Sequence, residues 1–173
     1  MVACLDNDEG RVFGSINLAR LINKDLPVIV CVGSDRVVSD MVAPLTAEYL
    51  VDSKVNAYVY GRLNNPIMAS NLHSAFRHIM SKHSTSQIIV IDAGLGKVSD
   101  IGKVRINKGG IMPAAGFGYS NAIYGDISIM PIVSTIGIDE KLFLSASRLT
   151  VINDTAKSLA SVIIKAIEIA KKL

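Results

Sequence analysis

Residues 27–44 read PVIVCVGSDRVVSDMVAP, and this stretch decides the fold. Its apolar run at 28–32 is rich in β-branched residues and too short for a useful helix, so it predicts a fully buried strand of a parallel sheet. The run breaks at Gly33 into the polar turn Ser34-Asp35-Arg36, after which Val42, Leu45 and Tyr49 recur at helical spacing. Proline lacks the backbone donor a helix interior needs, so Pro44 places the helix start only just before it. Asp40 is therefore expected in the connecting loop or first turn, past the carboxyl end of the strand. In open α/β sheets that edge is where ligands bind.

Working outward, the same alternation continues. Residues 54–61, KVNAYVYG, predict a second strand, and Arg62-Leu63-Asn64-Asn65-Pro66 is turn chemistry. A helix is expected over 68–82, with Leu72, Phe76, Ile79 and Met80 on one face. Residues 87–91, QIIVI, predict a third buried strand that runs into Asp92-Ala93-Gly94-Leu95-Gly96. Strand and helix in alternation imply a three-layer αβα fold, an α/β class with a mostly parallel central sheet. Residues 102–111 read as an extended excursion turning at Gly109-Gly110, and 113–118 as a small-residue loop. Residues 126–135, DISIMPIVST, predict another strand, with Pro131 favouring an edge position or a break. A long amphipathic helix closes the chain from about residue 153. At the other end, residues 1–13 show little pattern beyond Asp6, Asp8 and Glu9 and read as a mobile arm. A short helix over Ile16–Ile22 follows. The expected organisation is thus an arm and short helix over 1–25 and one α/β domain over 26–173.

Composition narrows the function classes. Half of the 173 residues are apolar, enough for a sizeable core, and the net charge of +3 is mild. With few aromatics and no Trp, a nucleic-acid surface built on stacking is not expected. No apolar run approaches a membrane span, and Cys4 and Cys31 form no CxxC pair, so a reduced cytoplasmic protein is expected.

Two carboxylates head the chemical candidates. Asp40 and Asp92 each follow a different buried strand at the same sheet edge. Brought close, two carboxylates cannot both ionise easily, which yields an acid and a base able to share a proton and activate water. The plainer reading is that Asp40 caps its helix and Asp92 satisfies a turn. Asp35 and Arg36 read as a solvated ion pair, and Gly94, Gly96, Gly116 and Gly118 as tight turns or as backbone donors to an oxyanion. His73 and His78 are five residues apart, out of line on a helix, so with His83 they form no metal site. Ser34, Ser39 and Ser128 lack both a histidine at a strand end and a GxSxG elbow, which sets serine hydrolase chemistry aside. No phosphate fingerprint is present.

Five segments carry a resemblance: VCVGSDRVVSDMVAP ending at Pro44, VYGRLNNPIMASNL over 59–72, IVIDAGLG over 89–96, GGIMPAAGFG over 109–118 and GDISIMPIVS over 125–134. Together they resemble the YyaC family of sporulation proteins, whose fold is similar to that of the spore germination protease and of hydrogenase maturation proteases. The resemblance implies an aspartic-type endopeptidase acting in sporulation or germination, with Asp40 and Asp92 catalytic. Its implied substrate is a protein or peptide, with the small acid-soluble spore proteins as the family's own case, in the forespore or mother cell. It implies no cofactor, and no metal is carried over, because no histidine follows Asp92. Nucleic acid and membrane are not expected partners, and a homo-oligomer is compatible with it. A non-catalytic peptide- or protein-binding module on the same fold is the alternative, suggested by Met41-Val42-Ala43 standing where the protease pattern has Ala-Leu-Gly.

Overall fold

The structure is a computed structural model, and it describes residues 1–23, 25–113, 122–135 and 148–173. Strand β2 (Val28–Val32) is buried at every position, as expected for a strand covered on both faces. It pairs in parallel with β3 (Tyr58–Tyr60) on one side and β4 (Ile88–Asp92) on the other. Strand β7 (Ile127–Thr135) lies beside β4, also parallel. Beyond it β6 (Lys103–Lys108) and β1 (Val2–Cys4) complete the sheet antiparallel, in the order β1-β6-β7-β4-β2-β3. Strand β5 (Gly94–Gly96) continues the line of β4 and pairs with β7 past a register shift.

Alternation along the strands sorts their side chains into two layers. Ile29, Cys31, Ile89, Ile91, Val104, Ile106, Ile127 and Ile129 meet helices α1 (Asp8–Ala19), α2 (Val42–Asp52) and α4 (Leu149–Ala170). Val28, Val30, Val32, Ile88 and Val90 meet Leu72, Phe76 and Ile79 of α3 (Leu72–Lys82) on the opposite face. The three-layer α/β architecture with a mostly parallel core is therefore as the pattern predicts.

Three expectations are corrected. The N-terminal stretch is no arm: β1 pairs with β6, and the Met1 amino group donates to the Ile106 carbonyl at 3.0 Å. Nor does the first helix wait for residue 16. Asn7 caps it, its side chain accepting from the Gly10 N–H at 2.7 Å, with Asp8 and Glu9 in the first turn. The acidic cluster is thus a helix start, favoured by the macrodipole. Third, of the two readings of Pro131 the edge is corrected and the break holds, for Pro131 lies in an interior strand. It is tolerated there because the pairing of β7 with β4 ends at Ile129 and that with β5 begins at Ile132, leaving Pro131 between the two ladders. Smaller differences are at element ends: β3 keeps only three residues of the expected 54–61, α3 starts at Leu72, and α4 starts four residues early.

Candidate functional site

Strand β2 leads through α2 to β3 on one side of it, whereas β4 leads away to β5, β6 and β7 on the other. The carboxyl ends of β2 and β4 therefore flank a topological switch point, where connections diverge and a crevice opens. Val32, the last residue of β2, is in register with Asp92, the last residue of β4. One residue beyond Val32, Gly33 packs against the backbone of Asp40: a β-carbon there would overlap the Asp40 carbonyl oxygen. The segments bearing the two aspartates also pack on one apolar cluster. Val38, Met41 and Val42 around Asp40 pack with Ala93, the neighbour of Asp92, over Val133, Ile152 and Ala156. The Asp40 turn and the end of β4 thus border the same edge of the sheet, at adjacent strands.

Asp40 lies in a single 3₁₀ turn, Val38–Met41, that runs directly into α2. Pro44 is the third residue of α2, where no intrahelical partner for an N–H is lost. Burial pushes the Asp40 carboxyl up to about 6, opposed by a hydrogen bond donated from the Ser34 backbone. Beside it Ser39 is fully buried, and among the described residues its hydroxyl has no hydrogen-bond partner. Ala43 sits in ordinary helix with its side chain buried, so α2 has no need of a glycine at that position.

Other candidates fall elsewhere. Asp35 and Arg36 are exposed, and the Arg36 N–H donates to Ser34 Oγ in a local turn. Gly94 and Gly96 belong to a strand and not to a loop. β-Carbons there would collide with Met130 and Ile132 side chains, so the glycines serve close packing on β7. Gly116 and Gly118 lie outside the described residues. His73 and His78 are exposed on α3, and His83 contacts the Tyr60 hydroxyl at 2.8 Å and stacks near Tyr58. No histidine joins Asp40 and Asp92, and among the described residues no group of three or more His, Cys, Asp or Glu could hold a metal ion.

Two features at this edge have no local signature in the sequence. Glu48 of α2 accepts from Arg62 Nε at 3.0 Å and from the Leu63 N–H at 2.9 Å, tying down the loop after β3. That guanidinium holds the Glu48 carboxyl below its usual range. The pair spans 14 residues and follows from the crossover alone. The second is the unpartnered Ser39 hydroxyl, whose isolation depends on what packs around the turn.

Known proteins agree with this frame. A solved structure of a NiFe hydrogenase maturation protease, HycI from Thermococcus kodakarensis KOD1, superposes with a TM-score of 0.58 at 17% identity, covering 91% of this chain and 99% of that one. That likeness shows the fold. Among the described residues no helix is long and apolar enough to cross a membrane. The "Uncharacterized protein YyaC" of Bacillus subtilis (strain 168) is 33% identical over 134 residues, 77% of this chain. The match spans 65% of that relative's length. Residues 11–162 match the family model described as "Protein of unknown function (DUF1256)". The resemblance read from the five segments is borne out, and the chain belongs to the DUF1256 family, alongside YyaC.

Proposed function

We propose that this protein is an aspartic-type peptide-bond hydrolase with Asp40 and Asp92 as its catalytic residues. The observation that supports the reading is that the Asp40 turn folds back onto the end of β2 while Asp92 ends the adjacent β4, so both border the switch point where an open α/β sheet binds its substrate. Burial lets Asp40 keep a proton, to about pH 6, that an ordinary aspartate has lost. Asp40 is then the general acid and the Asp92 carboxylate the general base. Water gives one proton to Asp92 as its oxygen bonds to the peptide carbonyl carbon. The C–N bond then breaks as Asp40 protonates the leaving nitrogen, and the Asp92 proton returns to Asp40 through solvent.

The substrate class we propose is an unfolded protein or peptide in the cytoplasm of a sporulating cell, with small acid-soluble spore proteins as the first case to test, as the resemblance to the spore germination protease implies. The test incubates purified protein with such a spore protein and reads fragments by mass spectrometry. Asp40→Asn and Asp92→Asn are each expected to lower cleavage about 100-fold or more. Cleavage indifferent to both substitutions overturns the reading. An absence of cleavage with peptide still bound assigns the chain to the non-catalytic binding module.

A further inference from the structure

Helix α1 has two apolar faces. The inner one, Gly14, Ser15, Leu18 and Ala19, is buried, and the small Gly14 lets Val162 of α4 approach closely. The outer one carries Glu9, Val12, Phe13, Ile16 and Arg20. These positions recur at the three- and four-residue steps of a heptad seam, so they share one side of the helix. Val12 is 56% exposed, Phe13 51% and Ile16 39%, a high exposure for three large apolar side chains on adjacent turns. Glu9 and Arg20 bracket them, both exposed and neither in an ion pair among the described residues, whereas their neighbour Asp8 is paired with Arg11.

The stripe is complementary to itself. The pairs Glu9/Arg20 and Phe13/Ile16 have a common midpoint, between Gly14 and Ser15. Two copies of α1 laid antiparallel about a two-fold axis at that level set Phe13 of one against Ile16 of the other. The same operation sets Glu9 against Arg20, twice over. We propose that α1 is a homodimer interface of this kind, with a second copy of the chain as its occupant. A two-fold contact requires one patch to match itself, and the shared midpoint supplies that match in both shape and charge. A 12-residue helix is about 18 Å long, so the patch alone is smaller than a standard stable interface, and a reversible dimer in the micromolar range is expected. This inference is independent of the hydrolase reading.

The test is sedimentation equilibrium of the whole chain from about 1 to about 500 µM, a span bracketing that affinity. The wild-type protein is expected to pass from monomer to dimer. Phe13→Glu should weaken the dimer at least about tenfold, with circular dichroism unchanged because the side chain is half exposed. Glu9→Arg and Arg20→Glu should each weaken it by setting like charges together, and the double variant should restore it to within about threefold of wild type. A wild-type protein that stays monomeric throughout overturns the proposal. So does a dimer indifferent to Phe13→Glu, or a double variant no better than its single parents.

Discussion

The carbonyl oxygen of Asp40 lies directly over Gly33, so closely that a β-carbon at residue 33 would overlap it and come within 2.9 Å of Pro44 Cδ. The glycine that ends the buried run thus permits the turn carrying the candidate acid to fold back onto the strand end. Gly33→Ala is expected to cost about 1–3 kcal/mol through overpacking against backbone that cannot yield. Urea denaturation measures it, and a variant as stable as wild type would show that the turn can retreat freely.

Asp40 also makes stability depend on pH. Its carboxyl titrates at about 6 when folded, against an ordinary 3.8. Between these values the folded form holds a proton that the unfolded chain has released, so stability falls as pH rises through this window. Above it the ionised, half-buried carboxylate is a penalty of up to about 3 kcal/mol. Asp40→Asn should therefore stabilise the protein by about 1–3 kcal/mol near pH 8, and the gain should vanish below about pH 4. Urea midpoints across that range check both sign and window.

Ser39 offers a second separation of stability from function. A buried hydroxyl without a partner costs free energy, so Ser39→Ala should leave the fold unchanged or up to about 1 kcal/mol more stable. The hydroxyl is closed off from solvent, so the same variant should leave cleavage unchanged. A loss of more than about 1 kcal/mol in stability would instead give the hydroxyl a structural partner.

Much of this was legible in the sequence because burial on both faces writes continuous apolar runs. The runs at 28–32 and 87–91 gave β2 and β4 nearly residue for residue, and the aspartates after them fell at the sheet edge as expected. What the sequence concealed depends on contacts distant along the chain. Strand β1 is three residues held by β6, so it has no period of its own, and Asn7 falls within the stretch that reads as an arm because its capping role needs the helix that follows. Pro131 leaves edge and break equally open in the sequence because its tolerance depends on a change of neighbour from β4 to β5. The Glu48–Arg62 clasp likewise exists only once the crossover is built.

The central claim is that Asp40 and Asp92 form one site, and the titration of the Asp40 side-chain carboxyl by carbon-13 NMR tests it without knowledge of the substrate. In wild-type protein the midpoint is expected near 6. Burial accounts for that value by itself, and in a paired site the Asp92 carboxylate is a second cause, so in Asp92→Asn the midpoint should fall. An Asp40 carboxyl that titrates in the ordinary aspartate range, or one indifferent to residue 92, would contradict the account.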